Sequence, residues 1–359
     1  MKITKRFDGG SLFAGANSGD GFVSFYDTIL SDESIERIYI LKGGPGTGKS
    51  RFMRDAAERA SALGMTVERY NCSSDPDSLD AVVLGGRYAI LDGTPPHSVD
   101  PHLAGAREEI INLGAFWDSA GLSKCSDKIK ELSRGKGESY KKAYRYLSAY
   151  KNVCDINSEL ILPCFKQNKA ERAVERQFLE IKQGGGHRVS VGMIYSVGMK
   201  GKVRYDTYEH FADKVYVLED FFDTAHIYLR LLVKKAQQTD TPVRISYDPV
   251  DLDRVNAVFF PNDRRAFVIS SGKSGLLGDV KVNMKRFVDA AEVRKIRSEY
   301  RLNSRLAEAF MDSAVESLAA AGKYHFELEN IYAKCMDFEE KEVFSKNFFD
   351  NLFSNKSQT

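Results

Sequence analysis

Gly43-Gly44-Pro45-Gly46-Thr47-Gly48-Lys49-Ser50 is the run in this sequence whose residue types and spacing commit it most firmly to a chemistry. It fits G-x-x-x-x-G-K-[ST], in which glycines let a loop wrap a phosphate chain so that successive backbone N–H groups face the negative charge. Lys49 is placed to reach the β- and γ-phosphates, and Ser50 to put its hydroxyl on a bridging Mg²⁺, with Arg51 following in the first helical turn. Such a site also needs a carboxylate at the end of a neighbouring strand to hold the metal's water shell. Asp92, after Tyr88-Ala89-Ile90-Leu91, is the best placed; Asp75 and Asp77 are second choices, with Asp75 better suited to capping a helix.

The elements that must position these residues are legible around them. Arg37-Ile38-Tyr39-Ile40-Leu41-Lys42 reads as a short buried strand stopping at the glycine cluster. Phe52, Met53, Ala56, Ala57, Ala60 and Leu63 recur at helical spacing, and Gly64 stands where a C-terminal cap belongs. Residues 65–72 and 87–92 read as further strands, so strand and helix alternate and a parallel α/β sheet is expected. Residues 103–183 have helical character, opened by Ile110, Ile111, Leu113, Phe116 and Trp117, and read as an insertion. Gly184-Gly185-Gly186 is the best linker.

Beyond that linker the first half returns in worn form. Ile38-Tyr39-Ile40-Leu41 matches Val215-Tyr216-Val217-Leu218, 177 residues on (38 to 215). Asp75-Pro76 matches Asp248-Pro249, 173 on, and Arg87-Tyr88-Ala89-Ile90-Leu91 matches Arg265-Ala266-Phe267-Val268-Ile269, 178 on. Aligned through the strand, Lys49 falls opposite His226, and Glu219, Asp220 and Asp223 put carboxylates where phosphates would sit, so this half is expected not to bind nucleotide. Asp92 falls opposite Ser270. Gly272-Lys273-Ser274 lacks the leading glycine of a phosphate loop and is rejected as one. The expected fold class is α/β, with tandem P-loop NTPase-like parallel-sheet units, each with a helical insertion, and the second degenerate. The first would span 1–183, with its insertion at about 114–183; the second would span 187–359, ending in a helical region at about 283–353.

Through Ile40 to Ser50, Cys72-Ser73-Ser74-Asp75-Pro76-Asp77-Ser78-Leu79-Asp80, Leu91-Asp92-Gly93-Thr94-Pro95-Pro96-His97 and Glu109 to Gly114, the chain resembles the P-loop NTPase superfamily. More narrowly it is similar to a bacterial family of predicted ATPases made of two P-loop-like halves. The first 120 residues or so carry this resemblance well and the repeated half loosely. In that family the second half often looks like another intact P-loop; here it departs. The resemblance implies an ATPase-like activity with ATP and Mg²⁺, and brings no substrate with it. Three readings follow: an ATPase whose hydrolysis drives a rearrangement of the halves or of a protein partner; a kinase with the Asp75/Asp77 loop or His97 near the acceptor; and a non-catalytic nucleotide-gated binding module. Arg51, Arg264 and Arg265 are positional candidates for a transition-state arginine.

Composition narrows the field. With 52 basic against 50 acidic residues the net charge is +2, which gives no global field for nucleic acid. No apolar run reaches the roughly 18 residues that span a bilayer, and the start lacks a secretory apolar stretch, so no membrane role and a cytoplasmic location are expected. The five cysteines are widely spaced without a C-x-x-C pair, and His97 and His102 alone make a poor metal site. Residues 123–151 hold nine basic side chains against three acidic, interleaved with tyrosines. Nucleic-acid contact through Lys141, Lys142 and Arg145 stands against a solvated face with tyrosines packed inward, on an insertion remote from the phosphate loop.

Overall fold

The protein is described by a computed structural model covering residues 6–186, 188–270 and 278–354. The first half runs β1 (Ser11–Phe13), β2 (Gly15–Ser18), β3 (Gly21–Ser24), α1 (Asp27–Leu30), β4 (Arg37–Lys42), α2 (Lys49–Ala62), β5 (Val67–Asn71), β6 (Leu79–Leu84), β7 (Tyr88–Asp92), β8 (Glu108–Asn112), α3 (Ser119–Lys124), α4 (Ser126–Ile161) and α5 (Gln167–Phe178). The second repeats it: β9 (Val189–Val191), β10 (Tyr195–Gly198), β11 (Gly201–Arg204), α6 (Thr207–His210), β12 (Lys214–Glu219), α7 (Ala225–Gln238), β13 (Val243–Tyr247), β14 (Val255–Phe260), β15 (Arg265–Ser270), β16 (Val280–Asn283), α8 (Ala290–Ala333) and α9 (Phe338–Ser354). The segment Gly272-Lys273-Ser274 lies outside the described residues.

Two six-stranded sheets result, ordered β1-β5-β6-β7-β4-β8 and β9-β13-β14-β15-β12-β16, the same order in each half. They are mixed, which corrects the expected all-parallel sheets. β4 pairs in parallel with β7 and β8, but β6 runs antiparallel to β5 and β7, and β14 likewise to β13 and β15. The connections either side of β6 are too short for the crossover that a parallel pair needs, and they close as hairpins. β8 is a second correction: Ile110 and Ile111, expected to open a helix, lie in a strand beside β4.

Alternation along the central strands assigns their two faces. Ile38, Ile40, Ala89 and Leu91 point to an inner core shared with Val215, Val217, Ala266 and Val268, so the two sheets pack face to face. Tyr39, Leu41 and Ile90 point outward to Phe52, Met53 and Ala56 of α2. Phe349 and Leu352 of α9 complete this outer layer, and Ala170, Val174 and Phe178 of α5 complete the layer over the second sheet. Each half's last helix therefore packs on the other half. The division at Gly184–Gly186 separates the strand-bearing halves, but the helices between α3 and α5 form no local insertion; they cross over.

The crossing is made by α4 and α8, which lie antiparallel: Asn157 donates to Tyr300 O and Ser304 Oγ, while Gly135 meets the Tyr324 ring further along. The docking at the two ends is matched bond for bond. Asp118 N–H donates to Cys335 O and Asp337 N–H to Phe116 O; 171 residues away in each case, Asp289 N–H donates to Cys164 O and Lys166 N–H to Phe287 O.

One buried charge cluster joins the sheets. Glu68 on β5 accepts from Arg244 Nη1 of β13 at 2.8 Å, from Arg6 Nη1 at 2.9 Å and from Tyr70 at 2.8 Å. Burial alone would raise the Glu68 carboxyl, but Arg244 and Arg6 pull it from its ordinary 4.5 to about 2. A depressed carboxylate contributes stability that is present above pH 4.5 or so and is lost as the pH falls towards 2. Glu68→Gln, which leaves two guanidinium groups buried, should therefore cost about 3–5 kcal/mol at pH 7. Denaturant titrations should show that cost shrinking between pH 4.5 and 2; a constant difference between variant and wild type would contradict the assignment.

Candidate functional site

The phosphate-loop sequence occupies residues 43–48, between the end of β4 and the start of α2. Gly43, Gly46 and Gly48 take φ of 144°, 72° and 79°, a region closed to most side chains, and Gly48 is the left-handed N-cap of α2. Lys49 folds back along the loop, donating to Gly43 O at 3.0 Å and Gly44 O at 2.9 Å. Its ammonium lies 3.5 Å from Asp92 Oδ2, because β7 is the parallel neighbour of β4 and ends beside it. The sequence-predicted Lys49 and Asp92 are thus brought together.

Asp92 is fixed by Thr94, whose N–H and hydroxyl donate to Oδ1 at 2.8 and 2.5 Å. Burial pushes its carboxyl above the ordinary aspartate value, with Lys49 opposing. Ser50 Oγ accepts from Leu79 N–H at 2.9 Å, which orients the hydroxyl at the first turn of α2. Among the described residues no cluster of three or more His, Cys, Asp or Glu could hold a metal. Ser50 and Asp92 beside the loop instead suit Mg²⁺, which keeps most of its waters and takes few protein oxygens when phosphates supply the rest.

Other candidates are placed elsewhere. Arg51 turns outward to Asp55 at 2.7 Å and is largely exposed. Asp77 pairs with Lys200, and Asp75 accepts from Asp77 N–H within its own turn. His97 is buried with both ring nitrogens engaged, on Asp80 Oδ2 at 3.0 Å and Ser24 Oγ at 3.1 Å, so it offers no free nitrogen to an acceptor. Arg264 pairs with Asp213 and Arg265 with Glu180, both in the second half.

The cover of the loop comes from Trp117 and from the far end of the chain, and the latter has no local sequence signal. A Cβ on Gly44 would stand 3.2 Å from Trp117 and 3.3 Å from Tyr332, and one on Gly48 would stand 3.1 Å from Lys341 Nζ. Trp117 Nε1 is buried without a hydrogen-bond partner. Gly135 of the basic helix α4 packs on Tyr324 of α8, the helix whose last turn lies over the loop, while Lys141 and Arg145 line a groove with Gly19, Asp20 and Gly21. Tyr140, Tyr144 and Tyr150 of α4 pack inward around Leu147 and Leu318.

The matching loop of the second half is one residue shorter, 220–224 between β12 and α7. Counted from the helix starts, Lys49 corresponds to Ala225 and Ser50 to His226, which corrects the register read through the strand. Asp220 Oδ1 accepts from Ala225 N–H at 2.9 Å, and Asp223 pairs with Arg254. His226 Nδ1 lies 3.2 Å from the same arginine, and burial lowers its pKa to about 4. The anion position of this loop is taken by its own carboxylates.

Comparison with family models, curated proteins and solved structures found no match to the chain. No helix among the described residues is long and apolar enough to cross a membrane.

The two loops differ enough to predict stoichiometry. Equilibrium titration with ATP and Mg²⁺ should saturate at one nucleotide per chain, and His226→Ala should leave that number and the affinity unchanged. Two equivalents, or loss of one in His226→Ala, would overturn the reading of the second loop.

Proposed function

We propose that the chain is a Mg²⁺-dependent nucleoside triphosphatase, with ATP as its substrate, working at one site in the first half. The observation that carries this reading is the arrangement of three glycines at positive φ, Lys49 folded over the loop, and Asp92 held 3.5 Å from that ammonium. It is what binding and hydrolysis of a phosphate chain require: backbone donors facing an anion, a fixed cation on the terminal phosphates, and a carboxylate on the metal side. The resemblance to P-loop NTPases, and to predicted ATPases with two such halves, points the same way.

In this reading the loop N–H groups and Lys49 bind the phosphates and hold them still, while Trp117 and Tyr332 narrow the approach of water from the α8 side. Ser50 and Asp92 would hold Mg²⁺, which neutralises charge on the β- and γ-oxygens when bound. Thr94 keeps Asp92 aimed, and Lys49 and then Thr94 oppose the burial that favours its protonated form. Hydrolysis is preferred to transfer because the groups suggested for an acceptor are engaged elsewhere, His97 on both nitrogens, Asp77 with Lys200 and Asp75 within its own turn.

Phosphate release from ATP and GTP, measured with Mg²⁺ alone and with candidate acceptors or nucleic acid, tests the reading. Lys49→Ala should abolish binding or turnover, and unchanged affinity and rate in it would remove the claim. Turnover only with an acceptor would establish a kinase, and tight binding without release a nucleotide-gated module. Asp92→Asn should separate binding from chemistry, with affinity falling a few-fold and turnover by about two orders of magnitude, each ~1.4 kcal/mol of lost transition-state stabilisation costing tenfold. Wild-type turnover in Asp92→Asn would move the metal-side role to another carboxylate.

A further inference from the structure

We infer that Ser24, His97 and Asp80 form a second, nucleophilic site, in which the Ser24 hydroxyl attacks the acyl carbon of a carboxylic ester. This activity is separate from the phosphate loop and does not depend on how that loop is read.

Ser24 ends β3 and is exposed, whereas its two partners are sealed, His97 at 5% exposure and Asp80 at 6%. Ser24 Oγ lies 3.1 Å from His97 Nδ1, and His97 Nε2 lies 3.0 Å from Asp80 Oδ2. A carboxylate only accepts, so its bond fixes the ring proton on Nε2 and leaves Nδ1 as the acceptor of the Ser24 proton. The ring is held in this position on several sides. It stacks on Tyr26 at 4.6 Å and meets the Phe22 ring edge-on at 4.6 Å, and the His97 main-chain N–H donates to Thr94 O at 2.9 Å. Tyr26 also donates its hydroxyl to Asp80 O at 2.8 Å and its N–H to Ser24 Oγ at 3.4 Å, so one residue braces both ends of the relay. An accessible nucleophile, a base within reach of it and a buried third group that orients the base are what activates a serine hydroxyl.

The second half shows that the fold does not need this arrangement. Hairpin β10–β11 pairs Tyr195 with Arg204 where β2–β3 pairs Gly15 with Ser24, and Arg204 turns to Glu209 and the Tyr195 hydroxyl. The pairing of β13 with β14 ends at Tyr247 and Val255, where that of β5 with β6 ends at Asn71 and Leu79, so Asn256 stands in the place of Asp80. Its amide donates to Asp248 Oδ2 at 3.1 Å. The same hairpin and the same strand are therefore built there with neither the serine nor the carboxylate.

The chemistry closes with water as the co-reactant. Ser24 Oγ bonds to the acyl carbon as its proton passes to His97 Nδ1; the bond from that carbon to the alkoxy oxygen breaks, and the alcohol leaves with the proton. Water then gives a proton to Nδ1 while its oxygen bonds to the acyl carbon. The bond from carbon to Oγ breaks, the carboxylic acid leaves, and Ser24 recovers the proton. Asp80 accepts from Nε2 throughout and steadies the imidazolium formed in each step.

The full chain treated with p-nitrophenyl acetate, and separately with a fluorophosphonate that loses fluoride as Ser24 Oγ bonds to phosphorus, tests this, with the modified peptides read by mass spectrometry. Wild type should release one equivalent of p-nitrophenol in a burst and carry adducts on Ser24 that form about tenfold faster or more than on exposed Ser31. Ser24→Ala should lose the burst and the adduct while binding and turning over ATP as wild type does. Asp80→Asn, whose amide donates to Nε2 and moves the ring proton to Nδ1, should slow acylation about a hundredfold. Circular dichroism checks that each variant is folded. Labelling of Ser24 no faster than of Ser31, a burst that survives in Ser24→Ala, or wild-type acylation in folded Asp80→Asn would overturn the proposal. Should Asp80→Asn fail to fold, Ser24→Ala, at an exposed position, still decides it.

Discussion

Sheets whose central strands are apolar on both faces need two covers, and this requirement organises the whole molecule. The inner faces cover each other, through Ile38, Ile40 and Leu91 against Val215, Val217 and Val268. On the outer side one 14-residue helix per half lies against six strands, and the layer is completed by a helix from the other half: α9 beside α2, and α5 beside α7. The crossing helices α4 and α8 follow from that exchange, since the chain must travel from one sheet to the far side of the other. With 44 residues at ~1.5 Å each, α8 is about 66 Å long, enough to make the journey in one element. The polar cover of the phosphate loop is a by-product, because the turn that delivers α9 to its place ends on Gly44, Gly46 and Gly48.

The repeat is deeper in backbone than in side chains. Gly64, after α2, has φ of 70°, and Asp240, at the matching place after α7, has 52°; Gly86 in the β6–β7 turn has 67° and Arg264 in the β14–β15 turn has 51°. The second loop also keeps left-handed residues, Phe222 and Asp223, where the first has glycines. Side chains other than glycine in this conformation cost about 1–2 kcal/mol each. The second half carries that strain at several turns and still holds the same strand order, so the geometry of the unit is set by its hydrogen-bonded core. What has changed is chemistry: a loop one residue shorter, with carboxylates in place of glycines and alanine at the position of Lys49.

Much of the first half was legible in sequence because its signals are local. The strand ending at Lys42, the glycine loop, the helix stripe from Phe52 to Ala60 and the carboxylate at Asp92 all depend on neighbours a few residues apart, and the structure brings Lys49 and Asp92 together as their spacing suggested. β6 was lost because Leu79–Leu84 is a wholly buried run between turn residues, without the alternation that marks a half-exposed strand. β8 was lost because its apolar residues continue into the 3-10 turn Leu113–Phe116, and the mixture reads as helical. The exchange of α5 and α9 had no signal of this kind at all. Two amphipathic helices that need a sheet do not say in their own sequence which of two similar sheets they cover, and so Tyr332, Ala333 and Lys341 could not be assigned to a loop nearly three hundred residues away.

That distance also determines how the site can communicate. A carboxylate within a loop, such as Asp223, is held at its site by the adjacent backbone and here by Arg254, which also reaches Ser158 of α4. The cover of the first loop is held by helix packing instead, which seats Tyr332 on Gly44 and carries the chain on to α9 under the first sheet. At its other end α8 begins at Asp289, whose N–H is bonded to Cys164 where α4 turns into α5 on the second sheet. The packing of Tyr332 on Gly44 and of the Glu329 main chain on Gly46 therefore fixes α8 against the first half, while its origin lies on the second. The difference in a ligand's affinity for the loop between two positions of that helix is the whole of what is available to move it. Its size, and not the length of the helix, decides whether occupancy of the loop is felt between the two halves.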